Sequence, residues 1–314
     1  MTHQIRTRRS NRTRTTLRRR QSKLERLESR ILLTFGPVGI VGDSLSDEYA
    51  GEDYSYARNW AELLVAEQNF SFGPAGSWGE PRRTGYEYNW ARWGTGTQGM
   101  LADGQHTGLA AQVTAGDVSH AVVAIGQNDF RPDLAAYQGI YFESWTGQQI
   151  AQYATQVVTN IGTALATLHP TGVAIVLSNI ADYGVAPVTQ EFFTDPDSRD
   201  LVTDVITGIN HRLVQLAEGY GITLVDAFGS SVAQLGTNQA VIASQTIGGQ
   251  VFQNDYDEND DTGTKPHLAF VHDGIHPNTV PSGILANLFL TACEVGYGET
   301  VSRFSEQELV ELVG

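Results

Sequence analysis

Unbroken apolar runs alternate along this chain with stretches whose apolar residues recur every three or four positions. Val38-Gly39-Ile40-Val41 is the first run. His120-Ala121-Val122-Val123-Ala124-Ile125 is the second, and residues 172–177 and 221–225 are the third and fourth. Each has the length of a strand, and none alternates apolar with polar as a strand with one wet face does, so both faces of the sheet they build must be covered. Trp60, Leu63 and Leu64 predict a helix over 54–68. Ile150, Tyr153, Ala154, Val157, Val158, Ile161 and Leu165 form one stripe over 146–168, stopped by His169-Pro170. Leu201, Val205, Ile209, Leu213 and Leu216 form another over 200–219. Residues 279–293 read as a core helix, and Ser305 with Glu308 three residues on opens a short acidic helix over 305–313 as a capping box. Strands that alternate with helices predict an α/β fold with a central parallel sheet covered on both faces. There is no internal repeat and no linker within 36–296. The chain therefore divides into a leader (1–35), one domain (36–296) and a short acidic C-terminal segment (297–314).

Two regions lack this regularity. Residues 71–100 are rich in Gly and aromatics, the composition of a structured loop, and loops of that length commonly serve a site. Residues 229–271 contain an acidic cluster, with Asp255, Asp257, Asn259 and Asp261 alternating like the start of a calcium loop. An EF-hand would need Gly at the sixth position and Glu at the twelfth, where this chain has Asp260 and Pro266. The cluster is then a solvated acidic loop or a weak calcium site of another kind.

Charge changes the picture of the leader. The chain of 314 residues carries a net charge of −15, yet residues 1–30 alone carry +9, leaving −24 on the remainder. An acidic body excludes nucleic acid as the partner of the folded part, because phosphates would be repelled. The leader is rich in Arg, Thr, Ser and Gln and is expected to be disordered alone. Leu24-Glu25-Arg26-Leu27-Glu28-Ser29-Arg30-Ile31-Leu32-Leu33 resembles the L-E-x-R-x-L-L segment of bacterial exported proteins, with Ser29 where proline is usual. That resemblance implies an exported or cell-surface protein. A basic amphipathic helix on a cytoplasmic protein is the other reading. No stretch reaches the ~20 consecutive apolar residues of a spanning helix, so no transmembrane segment is expected. Cys293, the one cysteine, sits in an apolar run and reads as a packed core residue.

Candidate chemistry begins at Gly42-Asp43-Ser44-Leu45, just past the first strand, where open α/β sheets place their ligands. Such a string also simply makes a turn. It carries weight only if a base, an orienting acid and oxyanion donors exist elsewhere. Val271-His272-Asp273-Gly274-Ile275-His276-Pro277 has three readings. His272 and His276 are spaced as in a zinc-binding H-E-x-x-H, but Gly274 and Pro277 work against the helix that motif needs. A polar loop before a helix is the second. The third is an acid and an imidazole three apart in one turn, with Asp273 orienting His276 as a triad requires.

Four stretches in order resemble the SGNH, or GDSL-type, esterase/acylhydrolase superfamily: Gly42–Leu45, Asn89-Trp90-Ala91-Arg92-Trp93-Gly94, Gly126-Gln127-Asn128-Asp129 and Asp273-Gly274-Ile275-His276. The resemblance implies a flavodoxin-like three-layer α/β/α sandwich. It also implies Ser44 as nucleophile, His276 as general base and acid, Asp273 as its orienter, and an oxyanion hole of Ser44 N–H, Gly94 N–H and the Asn128 side chain. Gly96 and Gly99 compete with Gly94 for that place. Asp43 and Asp129 are expected to hold loop N–H groups. Trp90 and Trp93, with Tyr86 and Tyr88, form either a sugar-stacking wall or the packed underside of the loop. The expected activity is hydrolysis of a small acyl ester, an acetyl group on a carbohydrate first, with no metal or cofactor. A lipase-like acylhydrolase is the alternative within the enzymes, and a glycan-binding module on an inactive hydrolase fold is the alternative outside them.

Overall fold

The computed structural model describes residues 36–51, 53–298 and 300–313. The leader, with its resemblance to exported proteins, lies outside the described residues.

Four strands, β1 (Val38–Gly42), β2 (His120–Ala124), β3 (Ala174–Ser178) and β4 (Thr223–Val225), lie side by side in that order and all run parallel. Gly42 pairs with Ala124, Val123 with Leu177 and Ser178 with Val225, so the carboxyl ends finish nearly level. Outside β1 the chain at 88–90 adds a partial fifth position. There the Ile40 N–H donates to the Tyr88 carbonyl and the Trp90 N–H to the Ile40 carbonyl, each at 2.9 Å.

Helices α1 (Trp60–Gln68), α2 (Gln105–Ala115), α3 (Gly147–Leu168), α4 (Pro196–Tyr220) and α5 (Thr279–Tyr297) complete the layers. Successive strand residues point to opposite faces. Val41, Ala121, Val123, Ile175 and Leu177 join the core shared with α2, α3 and α4. The alternate residues Ile40, Val122 and Val176 face the layer of α1 and α5, where Trp60 stacks on Phe289 at 4.1 Å. The result is a three-layer α/β/α sandwich.

Several predicted boundaries move for local reasons. The helix expected over 54–68 begins only at Trp60. Asn59 accepts the Glu62 N–H at 3.0 Å while the Glu62 carboxylate accepts the Asn59 N–H at 3.0 Å, a capping box that outranks the looser apolar spacing before it. α4 starts at Pro196, earlier than 200, because Asp195 caps it and proline suits a first turn. The loop over 71–100 holds a hairpin, Ala75–Gly79 with Arg83–Tyr86, and a short helix, Thr97–Ala102. α2 had no signal in the pattern: its one buried aliphatic side chain is Leu109, beside buried Gln105 and His106. Residues 227–253 form a helix, Ala227–Leu235, and two hairpins.

The closing segment packs on the domain. Its capping box at Ser305 and Glu308 forms, Leu309 and Val310 are buried, and Asn287 Nδ2 donates to the Phe304 carbonyl at 2.8 Å. Cys293 is buried in α5, and burial pushes its thiol up to about 12. By length and composition α5 could cross a membrane, which the sequence reading did not foresee. Half of it is buried against the sheet and α1.

Candidate active site

The carboxyl ends of β1 and β2 carry the first groups of the site. A side chain at Gly42 would meet the Ala124 carbonyl at 2.9 Å, so only glycine lets the two strands stay in register here. The turn that follows is tight: the Ser46 and Asp47 N–H groups both donate to the Asp43 carbonyl at 3.0 Å, and the Leu45 N–H donates to Asp43 Oδ1 at 3.2 Å. Ser44 is buried at its tip. Beyond β2, Gly126 (φ 121°) turns the chain into Gln127–Phe130, which buries Asn128. Asn128 Nδ2 donates to the Thr95 carbonyl at 3.2 Å.

A loop bridges these two turns. Asn89 Nδ2 donates to the Ser46 carbonyl at 2.7 Å, the Trp93 N–H to Asp47 Oδ2 at 2.8 Å, and Arg92 pairs with Asp47 in a buried ion pair at 3.4 Å. At its other end the Thr97 N–H and Oγ1–H donate to the two Asp129 oxygens, each at 2.8 Å. Between the two anchors lies Gly94, exposed and at φ 72°. Gly96 is the cap of the helix Thr97–Ala102 and abuts the Asp129 carboxylate, and Gly99 is inside that helix, so the rival glycines are occupied. Asp43 and Asp129 hold loop N–H groups, as expected.

The acid and imidazole meet in the 271–278 loop. Asp273 Oδ2 lies 2.5 Å from His276 Nδ1, and Asp273 Oδ1 accepts the N–H groups of Ile275 (2.9 Å) and His276 (3.0 Å). Burial alone would raise the Asp273 carboxyl. The His276 hydrogen bond and charge, with the two backbone donors, outweigh it and bring it down to about 2. His276 Nε2 is buried with no hydrogen-bond partner among the described residues, so the Ser44–His276 bond is not made in this structure. The loop is not helical, and His272 Nδ1 faces the Tyr56 hydroxyl at 3.0 Å, so the two histidines do not share a helix face.

Sequence reasoning missed what surrounds this loop. Tyr54 donates its hydroxyl to Asp273 Oδ2 at 2.9 Å, and its ring lies 5.2 Å from the His276 ring. Tyr49 sets an edge against His276 at 6.1 Å and donates to the Pro277 carbonyl, and the His272 N–H donates to the Tyr56 hydroxyl. Three tyrosines within eight residues, ahead of a strongly capped helix, were the available signal.

A sequence model of GDSL-like lipase/acylhydrolases matches residues 38–289, a span containing all four blocks. The chain belongs to that family. The GDSL-like fold is shared with a lipase from a goat-rumen metagenome, at 13% identity and a TM-score of 0.50 over 82% of this chain and 97% of that one. Two further solved structures are similar at lower scores. One is an esterase, EstA, from Pseudoalteromonas, at 13% identity and TM-score 0.44 over 84% and 100%. The other is an acetyl-xylooligosaccharide esterase from Geobacillus, at 14% and 0.43 over 83% and 95%. No curated protein sequence matches the chain. Family membership makes this acylhydrolase a hydrolase that acts on esters.

One expectation about this GDSL-like chain needs correction. Trp90 is not part of an open stacking wall. Its indole N–H donates to Gln112 Oε1 at 2.9 Å, its ring fills the space a side chain at Gly108 would take, and Arg82 lies over it. Trp93 stands alone at the surface, 49% exposed. In the acidic cluster, read as a solvated loop or a weak calcium site, Asp257 pairs with Lys265, and Asp260 accepts the N–H groups of Thr264 and Lys265. Among the described residues no group of His, Cys, Asp or Glu is placed to hold a metal.

Asp43 gives the fold an unusual pH dependence. Burial pushes its carboxyl up to about 7, against the Leu45 hydrogen bond and the His276 charge that lower it. Between an unfolded pKa of about 4 and the folded value, the native state holds the extra proton, so stability falls as pH rises through that window. The full shift corresponds to a loss on the order of 4 kcal/mol. Asp43→Asn is expected to flatten part of that decline in urea unfolding followed from pH 4 to 8. Glu48, also raised to about 7 by burial, retains part of the rest, together with Asp47, Glu62, Asp129 and Asp182, whose carboxyls burial raises as well. A wild-type stability that climbs over this range would refute the assignment.

Proposed function

We propose that this GDSL-like protein is a serine ester hydrolase that removes a small acyl group, acetyl first, from a carbohydrate-type ester through an acyl-enzyme. The observation that carries it is the Asp273–His276 pair, in which the outer imidazole nitrogen, Nε2, has no hydrogen-bond partner among the described residues. Ser44 Oγ attacks the ester carbonyl while His276 Nε2 takes its proton. The carbonyl electrons pass to oxygen, which Ser44 N–H, Gly94 N–H and Asn128 Nδ2 stabilise. His276 returns the proton to the leaving alcohol, and water repeats the sequence on the acyl-serine. No step calls for a metal or cofactor. Ser44, Asn128 and His276 are only 5, 4 and 4% exposed, which leaves little room for an acyl chain, and the exposed Trp93 offers a flat apolar face to a sugar at the loop that carries Gly94.

One observation favours the lipase-like alternative. An apolar cavity of about 130 Å³ lies behind Leu45, Gln127, Tyr183, Ile275 and Pro277, next to the reacting groups. Nitrophenyl esters from acetate to decanoate separate the two readings. Turnover is expected to fall beyond acetate and acetylated xylo-oligosaccharides to be deacetylated. A rise toward hexanoate or octanoate would assign the cavity to the acyl chain instead.

A further inference from the structure

We propose that Tyr54 is a positioning residue for the hydrolysis, holding the Asp273 carboxylate and the His276 imidazole in one arrangement and moderating the basicity that Asp273 confers on His276. The proposal rests on the reading of His276 as base and Asp273 as its orienter.

The geometry is specific. Asp273 accepts four hydrogen bonds. Oδ1 takes two backbone N–H groups from its own turn, and Oδ2 takes the His276 Nδ1–H and the Tyr54 hydroxyl. The backbone donors fix one oxygen to the loop. Tyr54 is the donor that reaches the other oxygen from a different part of the chain, and it shares that oxygen with His276. Its ring, tilted 32° to the imidazole at 5.2 Å, closes one side of His276, while Tyr49 meets it edge-on at 89° from another direction. Tyr54 is 5% exposed, so its side chain cannot swing away without opening the packing around Tyr49, Ala57 and Val271. The segment is further tied down by the Arg58 N–H donating to Thr279 Oγ1 at 3.2 Å and by Tyr49 donating to Pro277. The nucleophile turn and the acid–base loop are 229 residues apart in sequence, and residues 49–58 join them in space.

The phenol has a chemical consequence beyond packing. An O–H that donates to Oδ2 draws charge from the oxygen that must stabilise the imidazolium. Removing it leaves more negative charge facing Nδ1, so His276 should hold its proton to higher pH. Removing it also frees the carboxylate to rotate about its Oδ1 anchor, which lowers the fraction of His276 correctly aimed. The titratable and charged groups around the pair are Asp43 from the nucleophile turn, His272 and Tyr56 beside Tyr54, Tyr49, and Tyr183 from the loop after β3. Tyr54→Phe leaves all of them in place.

The test compares wild type, Tyr54→Phe and Asp273→Asn with 4-nitrophenyl acetate across pH 5 to 9, and follows the His276 ring by NMR of histidine-labelled protein. For Tyr54→Phe, kcat is expected to fall about fivefold to tenfold with KM within twofold. The acid limb and the His276 ring signal are both expected to respond toward higher pH. Following the ring directly keeps the readout separate from Asp43, whose carboxyl burial raises to about 7. A Tyr54→Phe protein with an unchanged limb, titration and kcat, while Asp273→Asn is strongly impaired, would overturn the role of Tyr54. The same holds if only its melting temperature drops, since that is a structural role alone. If Asp273→Asn is itself fully active, the underlying reading of the acid–base pair fails instead.

Discussion

Ser44→Ala is expected to reduce turnover of 4-nitrophenyl acetate by about ten-thousandfold or more. The size follows from the nucleophile role proposed for it. Without the hydroxyl there is no acyl-enzyme, and the remaining groups can only help water attack directly. The substitution is mild for the fold: the turn is held by the Asp43 carbonyl and carboxylate and by backbone N–H groups, none of which belongs to the Ser44 side chain. Melting temperature should therefore stay near wild type, which separates lost chemistry from lost structure. A serine-directed phosphonate followed by intact-mass measurement gives the matching result, one adduct on wild type and none on the variant. Equal rates in the two proteins, or no adduct on either, would mean that the four blocks mark the fold without its chemistry. The chain would then be a surface module, and titration with acetylated and plain glycans would be the measurement to make.

The open Ser44–His276 contact does not weaken this expectation. Catalytic hydrogen bonds are commonly long or misaligned before substrate binds. What the fold provides is an oriented imidazole whose outer nitrogen has no competing partner among the described residues.

The sequence made the sheet legible because burial on both faces leaves no polar residues in Val38–Val41 or in 121–125. It made α3 legible because seven apolar positions fall on one stripe and Thr146 and Gln149 form a capping box at its start. The Asp273–His276 contact could be read because both groups lie three residues apart in one motif. By contrast, α2 and the start of α1 could not be read. α2 buries Gln105 and His106, whose polarity masks the periodicity, and Gln105 is inside because its Oε1 accepts the Gly42 N–H at 3.0 Å. The helix predicted from residue 54 fails because Tyr54 and Tyr56 are held by long-range partners at 272 and 273, and nothing local in their spacing announces that. Trp90 shows the same limit from the other side. An aromatic next to an oxyanion block invites a substrate role, yet its N–H is committed to Gln112, a contact across 22 residues that no motif encodes.

Asn128→Ala is expected to lower kcat about a hundredfold while changing KM little. The side-chain amide has two N–H donors. One is used on the Thr95 carbonyl at 3.2 Å, which fixes the plane of the amide and links it to the loop carrying Gly94. In the proposed role the second serves the oxygen of the substrate. Such a donor counts most when the carbonyl oxygen gains its charge, so its loss costs ~3 kcal/mol in the transition state and little in the bound ester. The Thr95 carbonyl also loses a partner, which would lower stability through the loop. Asn128→Asp separates the two effects. It keeps the shape but replaces the donor with an acceptor, so turnover should fall at least as far as in Asn128→Ala even where folding is retained. Steady-state kinetics on both variants decide the matter. A change confined to KM would remove Asn128 from the oxyanion hole, whereas a kcat loss in both would assign it there.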